Sequence, residues 1–197
     1  MRHTALVSLV GLALALAGCA TKPATSAPSS QAASAMPVAF PAGWEGTWKG
    51  PANLHWPDGR TRAFEMALTI APTKDPARWT WTVVYSEGEN SQTRPYELVV
   101  VDAAAGKYAI DEKNSIILPT TMFAGTLRSA FGVGETLIVT TDRMEMGSSG
   151  EPTLVSEMLS LNSATPETTG GDEGRGVPPV STLTPLTLQR AVLKRVK

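Results

Sequence analysis

Apolar and polar residues alternate along most of the chain between Trp44 and Leu161. From Phe64 to Ile70, every second residue is large and apolar, and the residues between them are polar or small. A period of two places the apolar side chains of a β-strand on one face of a sheet. The same alternation, rich in β-branched and aromatic residues, recurs at 78–85, 96–100, 123–131, 136–140 and 155–161. The pattern predicts a series of half-buried strands.

The pattern also predicts which side chains of these strands face the core. The residues expected to face it in the last three runs are Phe123, Leu127 and Phe131; Leu137 and Val139; and Val155, Leu159 and Leu161.

Short clusters of Gly, Pro, Asp and Asn separate the predicted strands. They lie at 57–59, 87–90, 105–106, 111–114, 132–134 and 147–150. Residues of these types favour tight turns. Their spacing of about ten to seventeen residues favours antiparallel hairpins over crossover connections, which would need a helix between strands. We therefore expect about nine strands up to Leu161.

The C-terminal part has a weaker pattern. The Thr, Gly and Pro content of 162–179 predicts a loop, placed at 163–180. Residues 183–197 fit a strand or a helix, and we favour a strand because a closing strand would remove the open edges of the sheet. The predicted fold is all-β, an antiparallel up-and-down barrel of about 8–10 strands.

The N-terminal segment differs from the rest in having no alternation. After the basic start Met1-Arg2-His3, the run from Thr4 to Gly18 is uncharged and mostly apolar. It is too short to span a bilayer comfortably, which takes about 20 apolar residues. Its length and small-residue end are typical of a signal peptide, assigned to residues 1–18.

The end of this run, Leu16-Ala17-Gly18-Cys19, resembles the lipobox of bacterial lipoproteins. The resemblance implies cleavage before Cys19, which would carry a diacylglycerol and become the mature N-terminus. An ordinary signal peptide with a cysteine near its end by chance is the alternative. In the lipoprotein family Ala20, in place of Asp, implies sorting to the outer membrane, where the domain would face the periplasm.

Residues 19–41 are mainly Ala, Ser, Thr and Pro, and cannot bury enough apolar surface to fold. We interpret them as the lipidated N-terminus and a flexible tether, which leaves 42–197 as a single domain.

Composition limits the chemistry of that domain. The chain has 17 basic and 18 acidic residues, so no basic excess suggests nucleic acid as a partner. Cys19 is the only cysteine, and its lipidation would leave no thiol for a disulfide, a metal or a nucleophile. Only one histidine, His55, lies in the domain, beside a predicted turn. We expect no catalytic residues, no metal site and no cofactor, and the sequence identifies no protein partner.

Gly46-Thr47-Trp48, on the first predicted strand, resembles the Gly-x-Trp motif of the lipocalin superfamily. The resemblance implies that Trp48 plugs the closed end of a barrel against an arginine from near the last strand. Arg190 and Arg195 are the two candidates. The Thr-Asp-Tyr turn of that family is absent, so the resemblance is to the barrel and not to a typical member.

Aromatic residues form a stripe on one face of a predicted strand. Trp79, Trp81 and Tyr85 share this face, and they could fill a core or, with Phe123, line a cavity. A cavity would suit a non-catalytic protein that binds a small apolar or amphipathic ligand. A filled barrel would suit an envelope assembly module that offers its surface to a partner. A third hypothesis, a hydrolase, would need two cleft carboxylates about 5–9 Å apart.

Replacing Cys19 with Ser tests the anchor. The Cys19→Ser protein should incorporate no labelled fatty acid and should leave the membrane fraction, because no thiol remains to carry the lipid. Acyl labelling of this variant would show that the lipobox prediction is wrong.

Overall fold

The computed structural model describes residues 39–147 and 150–196. The predicted signal peptide, Cys19 and all but the last three residues of the predicted tether lie outside these residues. Ten strands follow one another along the chain: β1 (Gly46–His55), β2 (Thr61–Pro72), β3 (Arg78–Glu87), β4 (Asn90–Asp102), β5 (Lys107–Asp111), β6 (Ile117–Phe123), β7 (Thr126–Val133), β8 (Thr136–Met146), β9 (Pro152–Asp172) and β10 (Val177–Arg195).

The strands form a closed antiparallel barrel in which each strand pairs with the next along the chain. The last strand, β10, pairs with β1, with Lys49 opposite Lys194 and Ala52 opposite Ala191. The only helical elements of the described residues are two short 3₁₀ turns, Ala42–Trp44 and Glu173–Arg175. The all-β, up-and-down barrel predicted from the sequence is confirmed. None of the described helical segments has the length and apolar character needed to cross a membrane.

The barrel has two different ends. β1 begins at the end where Trp44 and Trp48 are buried, and this end also holds the packed core. The alternating inward residues supply that core, as the period of two requires. The largest fully buried side chains of this core are Trp48, Leu68, Ile70, Leu98, Leu127, Leu154 and Leu193. The opposite end, where β1 finishes at His55, is the mouth.

The structure differs from the sequence prediction at 163–180, which form strands and not a loop. β9 continues to Asp172, and β10 begins at Val177 after a turn that Gly176 completes with φ of 66°. Because β8 pairs with β9 only as far as Asn162, the segments beyond form a two-stranded ribbon at the mouth. Neither face of this ribbon packs on the core, so its sequence shows no alternation.

A turn at Ala124 and Gly125, not predicted from the sequence, divides the run at 123–131. Both residues have positive φ, 46° and 77°, and they join β6 to β7 in a two-residue hairpin. Phe123 pairs with Thr126, next to the inward-facing Leu127, so the turn places Phe123 on the outer side.

Gly50 allows β1 and β10 to approach each other closely. A Cβ at Gly50 would lie 2.4 Å from the backbone oxygen of Val192. Such a contact is far too short, and β10 could not move without disturbing the closure of the barrel.

We therefore expect Gly50→Ala to lower the free energy of unfolding by about 1–3 kcal/mol, as measured by urea denaturation. Gly132→Ala is the control, because a Cβ there would meet only the oxygen of Thr136 at 4.0 Å. Equal stability of the two variants would contradict this account.

Candidate functional site

Aromatic residues close one end of the barrel. Trp48 is fully buried, and its indole Nε1 donates a hydrogen bond to the backbone oxygen of Trp44 at 2.8 Å. The guanidinium carbon of Arg195 lies 4.7 Å from the centre of the Trp48 ring. Phe40 packs edge-on against Trp44 and Tyr108, with ring centres 4.8 and 4.9 Å apart. These contacts leave the other end as the route into the interior.

Of the two candidate arginines, the structure places Arg195 over Trp48 and Arg190 elsewhere. The inward residues of β10 are odd-numbered, such as Gln189, whereas Arg190 is even-numbered and points outward. Its Nη1 donates to Glu157 at 2.5 Å on the outer face. The candidate role of Arg190 at the plug is therefore wrong, because the alternation of the strand turns it away.

Between the plug and the mouth lies a cavity of about 1020 Å³. Apolar side chains from eight strands and the turn before β6 make up most of its wall: Leu54, Phe64, Met66, Leu68, Trp81, Val83, Ile110, Ile116, Leu118, Phe131, Val133, Ile138 and Met158. Polar side chains also line the cavity, among them Tyr85, Arg94, Tyr96, Ser129, Thr140, Asp142, Ser156 and Gln189, and further polar residues such as Arg62, Glu87 and Glu112 belong to the same lining.

The predicted lining residues divide into three groups. Trp81 and Tyr85 line the cavity. Trp79, two residues nearer the closed end on β3, packs against the core instead. Phe123 is 59% exposed and does not line the cavity, because the Ala124-Gly125 turn places it on the outer side.

Asp142 is the acidic group deepest in the cavity. It lies on β8 opposite Leu127 and Ser156, and two residues further down Met144 packs against the core. Protein surrounds the carboxyl group, and its remaining exposure is to the cavity. Burial disfavours the charged form and raises the pKa of Asp142 to about 6, an effect that the Ser156 hydroxyl partly opposes.

A second polar group lies nearer the mouth. Burial raises the pKa of Tyr85, while Gln189 and the charge of Arg94 act in the opposite direction. Arg94 donates to the hydroxyl of Tyr96 at 3.0 Å and to Oε1 of Gln92 at 3.4 Å. At the rim, Arg62 forms a two-point ion pair with Glu87.

Most other charges pair on the outer surface of the barrel. Arg78 bridges Glu97 and Asp111, and Arg143 bridges Glu145 and Glu157. His55, at the mouth, hydrogen-bonds to Thr61 at 3.1 Å and is exposed. Within 39–147 and 150–196, no group of three His, Cys, Asp or Glu side chains is placed to hold a metal ion.

The sequence pattern gave no sign of Asp142, because the alternation on β8 indicated the wrong face as the inner one. Ile138 and Thr140 line the cavity, together with Ser156 and Met158 on β9, whereas Leu137 and Val139 do not. The same error applies to Leu159 and Leu161, also expected to face the core. Thr140, Asp142 and Ser156 face a cavity, where polar groups are tolerated. The more apolar face of β8 and β9 is therefore not the inner one.

No protein-family model and no curated protein matches this sequence. Among solved structures, the chain is similar to a protein of unknown function from the DUF3598 family of Nostoc punctiforme, with 15% identity and a TM-score of 0.48. That match covers 77% of this chain and 47% of the other, so the chain spans about half the length of that protein. It is also similar to Rv2717c from M. tuberculosis, with 11% identity, a TM-score of 0.37 and coverage of 82% and 94%.

The pKa of Asp142 predicts a pH-dependent stability. The folded protein holds the proton more tightly than the unfolded chain, whose aspartates titrate near 3.9. The stability contributed by this proton is therefore lost as the pH rises from about 4 through the folded pKa of about 6. The stability of Asp142→Asn should depend less on pH. Its free energy of unfolding, relative to that of the natural protein, should rise by up to about 3 kcal/mol between pH 4 and 7.

Urea denaturation of both proteins at a series of pH values measures this difference. Comparing the two proteins removes the contribution of the outer carboxylates, which both share. A difference that does not change with pH would show that Asp142 titrates normally.

Proposed function

We propose that this protein is an envelope lipoprotein whose barrel binds a small amphipathic ligand without catalysis. The observation that carries the proposal is the cavity of about 1020 Å³. Small-molecule sites in proteins usually have about 300–1,000 Å³ of space. A cavity of this size argues against a barrel filled by its own side chains, which the assembly-module hypothesis requires.

The wall of the cavity suits a ligand with an apolar body. Aromatic and aliphatic side chains such as Phe64, Trp81 and Phe131 cover most of it, and burying a ligand against them releases water from both surfaces. Polar groups, among them Asp142, Tyr85 and Arg94, also belong to the lining. Polar groups in such positions fix the orientation of a ligand inside a mainly apolar site.

The arrangement of the two ends gives the ligand a single route. The plug around Trp48 and Arg195 seals the end near the core, so exchange takes place through the mouth. Nothing at the plug needs to move when a ligand enters, and the barrel can remain closed throughout.

The sequence supports a place for this activity. Lipidation of Cys19 after Leu16-Ala17-Gly18 would hold the domain on a membrane, and Ala20 favours the periplasmic side of the outer membrane. Several acyl chains together make a stable anchor. The tether would then keep the barrel near a surface where amphipathic molecules are concentrated.

Two neighbouring threonines provide a matched test. Thr140 faces the cavity, and Thr141 points to the outside of the same strand. Thr140→Trp should fill part of the cavity and weaken binding of a neutral probe, decanol, by at least about fivefold, because overpacking or loss of contact costs about 1–3 kcal/mol. Thr141→Trp should bind as the natural protein does.

Isothermal titration with the full chain carrying Cys19→Ser measures this binding, since no acyl chain can then occupy the cavity. Native mass spectrometry of protein purified from its host envelope would reveal a co-purifying small molecule. Equal affinity of the two Trp variants, or no binding by any of the proteins, would contradict the proposal.

A further inference from the structure

The position of Asp142 bears on the chemical group at the inner end of the ligand. β8 runs from Thr136 at the mouth to Met146 at the closed end, and Asp142 lies more than halfway along it. The neighbouring inward residues are Thr140 toward the mouth and Met144 against the core. A ligand that fills the cavity therefore brings its inner end to the carboxyl group of Asp142.

Asp142 has no positively charged partner within the described residues. No salt bridge among residues 39–147 and 150–196 includes it, although nine others join charged side chains there. The strands beside it contribute Ser129, Ser156 and Met158, none of which titrates in the physiological range. The Tyr85 hydroxyl lies close enough for the charge of Asp142 to raise its pKa, and Tyr96, Gln189 and Arg94 line the same cavity.

We infer that the ligand carries a cationic amine at its inner end, which donates hydrogen bonds to the carboxylate of Asp142. This inference deepens the proposed function and rests on it. An ammonium group provides a positive charge and several hydrogen-bond donors, whereas the Ser156 hydroxyl supplies the carboxylate with one donor and no charge. The faces of Trp81, Tyr85 and Tyr96 line the same space, and aromatic faces also attract cations.

A ligand with a carboxylate or a hydroxyl as its head group fits less well. A carboxylate at the inner end would place two negative charges together in an enclosed space, and one would have to take up a proton. A fatty acid bound the other way round, with its carboxylate at Arg94, would press an apolar tail against Asp142 and leave its charge uncompensated. A hydroxyl would donate one hydrogen bond to Asp142 and bring no positive charge.

Affinity for an amine should depend on pH. At pH 7.5 Asp142 is ionised in most molecules, since its pKa is about 6, and at pH 5 about nine in ten carry a proton. An alkyl amine stays cationic throughout this range. Its affinity should therefore rise by roughly tenfold from pH 5 to pH 7.5, whereas the affinity for a neutral alcohol should change little.

Decylamine, decanol and decanoate form the test series, because they share one apolar chain and differ in the head group. Isothermal titration with the full chain carrying Cys19→Ser should give an order of amine, alcohol and acid at pH 7.5, with the amine about tenfold tighter than the alcohol. Asp142→Asn should remove this preference and the pH dependence, while decanol still binds, because the Asn amide oxygen can accept a hydrogen bond from the alcohol. Retained decanol binding also shows that the variant is folded.

Glu112→Gln is the matched control, because Glu112 lines the mouth of the same cavity. This variant should keep the preference for the amine. If Glu112→Gln removes the preference and Asp142→Asn does not, attraction at the rim explains it and the inference is wrong. Equal or tighter binding of decanol or decanoate also overturns the inference, while the proposed function stands. If none of the three compounds binds, the proposed function itself fails.

Discussion

Pairing of β10 with β1 is the interaction on which the rest of this structure depends. It closes ten strands into one sheet without edges, and closure fixes the width of the barrel. An eight-stranded barrel is just wide enough for its own side chains or one small ligand, and the diameter grows with the number of strands. Ten strands therefore enclose more space than the inward side chains of this chain can fill along its whole length.

The interior meets this excess of space differently at its two ends. At one end the side chains pack closely, with Trp48 held by Trp44 and covered by Arg195. The inward positions nearer the mouth hold aromatic, aliphatic and polar residues that do not fill the barrel, and the space they leave is the cavity. The closed end thus supplies packing energy that a uniformly lined barrel would lack, and it also determines the direction of access.

This division explains how far the sequence predicted the structure. The period of two identified the strands because it reflects the geometry of the backbone. In Phe64–Ile70 it also indicated the correct inner face, because the apolar side chains of this segment pack in or against the core. On β8 the inner residues Thr140 and Asp142 face a cavity, so the more apolar outer residues misled the assignment. The ribbon beyond Asn162 has no buried face, and its strands therefore left no periodic signal.

The parity of a strand also decides the role of residues that composition treats alike. Arg190 and Arg195 are five positions apart on β10, an odd number, so they must point to opposite sides of the sheet. One joins the ion pairs of the outer surface, and the other stacks on Trp48. The sequence alone does not decide which arginine stacks on Trp48, because that depends on which face of β10 points inward. In an alternating barrel, one correctly placed inward residue on each strand fixes the direction of the others until a bulge or turn interrupts the strand. In the run at 123–131, the Ala124-Gly125 hairpin is such an interruption. On β8, the polar residues that face the cavity concealed which face is the inner one.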